Sequence, residues 1–197
     1  MSVSGTITLE CEARAMIDEN TYNKMKDFYL NKGDNYRSFR NTNIYIDTPD
    51  LYLINHHMVL RIREIDDKEK ELTLKVKGEK GDDEYTYPLN NKGEYELLIK
   101  ENKIPYQKII DVLLEKGIDI SSLKIITTLI TDRIEIPYPN YLLVIDKNYY
   151  NSLVDYNIEI EAESKDKAKE LLNEIGRPFN VEYKKGYVSK SHRAVLR

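Results

Sequence analysis

The 197-residue chain has no tryptophan and a single cysteine, Cys11. One thiol excludes an internal disulfide. No window approaches the roughly 18 consecutive apolar residues that a membrane span requires. The start, Met1-Ser2-Val3-Ser4-Gly5, lacks the basic-then-apolar pattern of a secretory leader. These absences describe a soluble, cytoplasmic protein. Glycine is scarce, with eight residues, and none of them builds a glycine-rich phosphate loop. There is no internal repeat and no βαβ rhythm, which argues against a parallel sheet. Excess positive charge is also missing. The net charge of −4 gives no general attraction to nucleic acid or to an anionic membrane.

What the chain does have is charge, sorted by strand. Thr8 to Arg14 alternates: Leu9, Cys11 and Ala13 share one face, and Glu10, Glu12 and Arg14 share the other. Seven further segments read as strands: 37–47, 59–64, 71–77, 84–89, 123–136, 141–146 and 155–163. Helices are predicted over 19–31, capped by Asp18, with Tyr22, Met25, Phe28 and Tyr29 inward. Others fall at 91–101, at 105–116 and at 166–175, with a short helix in the tail. Length and pattern fit one domain over residues 1–197. The fold class is α+β, mainly antiparallel: an eight-stranded barrel, closed or nearly closed, with helices packed outside.

The charged faces segregate by sign. Glu10 and Glu12 come from the first strand, Glu159 and Glu161 from the last, and Asp146 from the end of its own strand. Arg61, Arg63, Lys75, Lys77 and Arg133 come from other strands, and Lys190 and Arg193 from the tail. Pointing outward, these side chains would be solvated and individually worth little. Pointing inward, they would line a wet bore that needs counter-charges to be stable. Clustered carboxylates without cysteine or histidine suit Mg²⁺ or Mn²⁺, and rows of Arg and Lys suit phosphate oxygens. Both together suit a linear phosphoanhydride with bound metal. His56, His57 and His192 read as structural.

The ordered set resembles the CYTH superfamily, the triphosphate tunnel metalloenzymes, in its bacterial YjbK-like branch. Glu10-x-Glu12-x-Arg14 is similar to the family's ExExK signature, and Tyr45-Ile46-Asp47-Thr48-Pro49 to its YFDTP segment. Arg61-Ile62-Arg63 resembles its RxR strand and Leu74-Lys75 its lysine strand. Asp146, Glu159-x-Glu161 and the Lys190/Arg193 pair follow in order. The resemblance implies a tunnel that takes a triphosphate or polyphosphate. Glu10, Glu12, Asp146, Glu159 and Glu161 would hold the metal. Arg14, Arg61, Arg63, Lys75, Lys77, Arg133, Lys190 and Arg193 would contact phosphate, and Glu10, Glu159 and Arg14 would be catalytic. Hydrolysis of inorganic tripolyphosphate or an organic triphosphate such as thiamine triphosphate is the implied activity. A non-catalytic binding module and an adenylate cyclase on the same fold are the alternatives. Arg14 departs from the family's lysine, and arginine does not give up its proton.

Overall fold

The computed structural model describes residues 4–33, 35–89, 92–101 and 103–196. The first alternating run splits in two. β1 (Thr6–Glu10) and β2 (Glu12–Ile17) flank Cys11. They are followed by α1 (Glu19–Asn31), β3 (Arg37–Asp47), α2 (Tyr52–Asn55), β4 (Met58–Ile65), β5 (Glu69–Lys77) and β6 (Asp82–Pro88). Next come α3 (Lys92–Glu101), α4 (Gln107–Glu115), β7 (Lys124–Tyr138), β8 (Tyr141–Tyr150), β9 (Leu153–Ala162), α5 (Lys165–Gly176) and α6 (Lys190–Leu196). Asn91, the expected start of α3, lies outside the described residues.

All nine strands form one antiparallel sheet in the order β1-β6-β5-β4-β3-β7-β8-β9-β2. The sheet curls through 235° and its ladder stays open. The expected eight-stranded, closed or nearly closed barrel is therefore corrected to nine strands in an open half-barrel. The extra strand has a simple origin. The chain changes partners at Cys11, so that Glu10 faces Asp82 on one edge while Glu12 faces Glu161 on the other. Both ends of the sheet belong to one continuous run. Side-chain contacts cross the seam: Lys165 Nζ, at the start of α5, donates to the Gly78 carbonyl and to Asp82.

The apolar side of each strand faces outward, under the helices. α1 and α5 cover β2 and β7–β9 with Tyr22, Met25, Ala168, Leu171 and Leu172 against Ile134, Leu143, Ile145, Ile158 and Ile160. A second cluster joins α2, α3 and α4 to β3–β6 through Leu53, Leu98, Ile109, Leu113, Leu60, Ile62, Leu72 and Leu74. Burial on this convex side leaves the concave side to the charged residues. Phe28, expected inward, is instead half exposed and packs edge-on against Tyr29 and Phe179. One helix departs from the expected outside position. On α6, Ala194 packs with Tyr45, Leu129 and Tyr150, inward-facing residues of β3, β7 and β8, so α6 lies across one end of the concavity.

β8 runs four residues past its expected end at Asp146. It continues through Lys147-Asn148-Tyr149-Tyr150 and turns at Asn151-Ser152, both with positive φ. Within this extension Asn148 is fully buried and bonded to Thr131, Asp155 and Asn157. The β4–β5 hairpin closes on Asp66 and Asp67, also both at positive φ, the twist-matched geometry of tight hairpins.

Asp47 shows how the link after β3 is organised. Its carboxylate accepts the backbone N–H groups of Thr48, Leu53 and Ile54 at 2.7, 2.8 and 3.0 Å, and it is buried. This converts an expected irregular link into the helical turn α2. Asp47→Ala is expected to lower the unfolding free energy by about 2–3 kcal/mol, the range for lost bonds to a charged acceptor plus orphaned donors. Urea denaturation measures it, and a loss below about 0.5 kcal/mol would contradict the assigned role.

Candidate active site

The concave face encloses a cavity of about 560 Å³. Eleven of the thirteen residues expected at a site line it: Glu10, Glu12, Arg14, Arg61, Arg63, Lys75, Lys77, Arg133, Glu159, Glu161 and Lys190. Strand pairing explains the grouping. β2 and β9 place Glu12 opposite Glu161 and Arg14 opposite Glu159. β4 and β5 place Arg61 opposite Thr73 and Arg63 opposite Glu71. Alternation then puts Lys75 and Lys77 on the same inward side.

The two signs do not form separate walls as expected; they interlock. Arg14 lies between Glu12, at 2.5 Å, and Glu159, at 3.1 Å. Lys75 Nζ donates to Glu10 at 2.6 Å and to Glu12 at 2.5 Å. Arg133 donates Nε and Nη2 to Asp146 at 3.0 and 2.9 Å, and Nη2 also to Glu159 at 3.0 Å. Lys190 Nζ meets Asp146 and lies 2.8 Å from Glu159. Glu159 thus faces three cations while only 2% exposed.

Two expected residues do not line the cavity. Asp146 is fully buried behind Arg133 and Lys190 and holds both. Arg193 is 3% exposed and engages Asp155 through Nε at 2.7 Å and Nη2 at 3.1 Å. Its Nη1 donates to the Tyr187 hydroxyl and the Val188 carbonyl. Conversely, His57, His192, Tyr187, Asn41 and Asn43 line the cavity without having been picked out. The two histidines, read as structural, are among the lining residues, His57 just before β4 and His192 on α6. For Asn41 and Asn43 the period-2 spacing toward Tyr45 on β3 was the available signal.

Burial and charge set the proton affinities. Desolvation alone would pull Arg14 down, but Glu12 and Glu159 hold it well above its ordinary value. For Glu159, burial works toward protonation and is overcome by Lys190, Arg14 and Arg133, leaving it well below the usual range. Glu161 is pushed up to about 7 by burial and by Glu159 and Glu10. Lys190 is lowered by burial, with Arg133 and Arg14 adding to it against Asp146 and Glu159. Arg63 is lowered by burial and by Arg61.

Two groups have capacity left over. Glu12, Glu159 and Glu161 each place a carboxylate oxygen within 4.8 Å of the others. Among the described residues the Glu161 carboxylate makes no hydrogen bond and no ion pair within 4 Å, while its backbone pairs in the β9 ladder. On the opposite side, the Arg61 Nε donor is buried with no partner, and its Nη2 reaches Glu84 only at 3.4 Å. The donor set at the carboxylates is all oxygen, which fits a hard divalent cation such as Mg²⁺ or Mn²⁺.

A curled antiparallel sheet with its apolar side out and a charged, cation- and anion-ready concavity defines a class built to hold a densely charged ligand. The chain belongs to the CYTH domain family, whose model matches residues 8–193. Among solved structures it is similar to a candidate adenylate cyclase from Bacillus halodurans. That match has 29% identity and a TM-score of 0.83, and covers 95% of this chain and 97% of that one. It is also similar to a candidate adenylyl cyclase from Hippeastrum, for which a dominant triphosphatase activity is described. There the identity is 18% and the TM-score 0.74, with 93% of each chain covered. The PH1819 protein of Pyrococcus horikoshii shares the fold at 17% identity and a TM-score of 0.61, over 95% of this chain and 96% of that one. No curated protein matches the chain. Among the described residues no helix is long and apolar enough to cross a membrane.

Proposed function

We propose that this protein hydrolyses a linear triphosphate with the help of a divalent cation. The observation that carries the reading is the charge balance of the cavity. Its lining has seven fixed cations and six carboxylates. Such a near-neutral site cannot take a multiply charged anion alone without leaving large uncompensated charge. It can take a polyanion together with one or two divalent cations, the cations against Glu12, Glu159 and Glu161 and the phosphates against the arginines and lysines.

The residues divide the work. Glu12, Glu159 and Glu161 would hold Mg²⁺ or Mn²⁺, with Glu10 alongside. The bound ion would supply charge neutralisation and a more acidic water. Arg61 and Arg63, with Arg133 and Lys77, would hold the phosphate chain, and Arg61 Nε gives a bond it lacks in the free protein. Arg14 would position phosphate without exchanging a proton, because Glu12 and Glu159 hold its charge in place. Proton transfer would fall to a carboxylate such as Glu159 or Glu10, or to Lys190, whose proton is the more loosely held. The bacterial YjbK-like branch belongs to this reading on the order of the motifs from Glu10 to Arg193. The permanently charged, doubly paired Arg14 favours a second reading, a triphosphate-binding module without turnover.

A phosphate-release panel tests this. Tripolyphosphate, thiamine triphosphate and ATP are each supplied with Mg²⁺ and with Mn²⁺, and cyclic AMP is measured in the ATP reactions. Metal-dependent phosphate release supports the hydrolase. Tight, salt-sensitive binding of tripolyphosphate without release supports the binding module, and cyclic AMP identifies a cyclase. No binding and no product would overturn the site itself.

A further inference from the structure

Arg14 stands where the family resemblance expects lysine, and a guanidinium, unlike an ammonium, has a use for a flat partner. Tyr187 supplies one. It lines the cavity, and the Arg14 guanidinium carbon lies 5.8 Å from its ring centroid. The Arg193 guanidinium lies 5.3 Å from the same centroid, and its Nη1 donates to the Tyr187 hydroxyl at 2.9 Å. Arg193 is in turn held by both oxygens of Asp155, which also accept the Tyr150 hydroxyl and Asn148 Nδ2. Arginine stacks on aromatic rings and has a planar fork whose value depends on its orientation. Lysine, a point charge on a flexible stem, needs no such surface.

We propose that Tyr187 is a positioning residue for Arg14, and that the Asp155–Arg193 clamp fixes Tyr187 from behind. The inference rests on the proposed triphosphate reading and deepens it. Arg193 then serves the phosphate site without touching phosphate, through two aromatic contacts and one hydrogen bond. It also joins α6 to β9, so the end of the chain sets the geometry of a residue near its beginning.

The test is a double-mutant cycle on tripolyphosphate binding, measured by calorimetry with Mg²⁺ present and with melting temperatures taken for every variant. Tyr187→Leu is expected to weaken binding about tenfold, the scale of a partly desolvated cation–π contact. In an Arg14→Ala background the same change is expected to alter binding less than about twofold, since the group it orients is gone. Tyr187→Phe keeps the ring and loses the hydroxyl, so it should fall between wild type and Tyr187→Leu. That variant removes one oxygen and keeps the experiment decisive if Tyr187→Leu does not fold. Equal losses in both backgrounds, or full affinity in Tyr187→Leu, would overturn the inference alone. Wild-type protein that takes up no tripolyphosphate would overturn the site reading first, and this inference with it.

Discussion

Glu159→Gln is expected to destabilise the protein by about 3–5 kcal/mol, the cost of stripping one partner from a buried ion cluster. Arg14, Arg133 and Lys190 all lie within 3.1 Å of Glu159 carboxylate oxygens. The like charges on Glu12 and Glu161 are spread over distances of up to 4.8 Å. Attraction to the three cations therefore outweighs repulsion from the two carboxylates, and the substitution leaves buried positive charge in excess. Tripolyphosphate should restore part of that stability, because a bound anion replaces the missing charge. At 100 times its dissociation constant a ligand contributes about 2.7 kcal/mol. Metal-dependent phosphate release should meanwhile fall by more than about 100-fold, beyond what loss of a mere supporting contact to a metal ligand costs. Thermal melts with and without tripolyphosphate, run beside the release assay, measure all three. A variant as stable as wild type, or one that polyphosphate does not protect, would contradict the assigned charge balance.

Arg133→Met should give the mirror image. Arg133 supplies two hydrogen bonds to Asp146 and one to Glu159. Asp146 is fully buried, and its remaining partners are Lys190 and Asn157. Methionine fills similar space without charge, so the loss is electrostatic, again about 3–5 kcal/mol. Here Mg²⁺ should protect the variant more than it protects wild type, and tripolyphosphate alone should not. Paired melts with each ligand distinguish the two variants. If Mg²⁺ and polyphosphate protect both equally, the cavity does not discriminate sign in the way the geometry requires.

Asp146 and Arg193 illustrate why a role assigned by order along the chain differs from a position in space. Both stand where the family resemblance places site residues. Asp146 points inward from β8 but lies beneath Arg133 and Lys190, so it braces the cations and does not line the cavity. Arg193 is paired with Asp155 and does not line the cavity. Tyr187 was unmarked because a tyrosine in a basic tail has no local signature; only packing sets it beside Arg14. His57 and His192, read as structural, likewise have no local signature, yet both line the cavity.

Local chemistry by itself determined which residues share a strand face, where Asp18 caps α1, and that acidic and basic faces fall on different strands. Such features depend on neighbours two to four positions away, where side-chain period and backbone hydrogen bonding act directly. Tertiary structure alone decided that the charged faces look inward and that the first strand divides its pairing at Cys11. It also decided that α6 crosses the concavity and that each carboxylate answers to a particular cation. Those outcomes depend on strand register between segments as far apart as Arg14 and Glu159, 145 positions away. No short stretch of sequence encodes the partner a strand will meet, and in a buried site the partner decides whether a charge is a ligand, a brace or a liability.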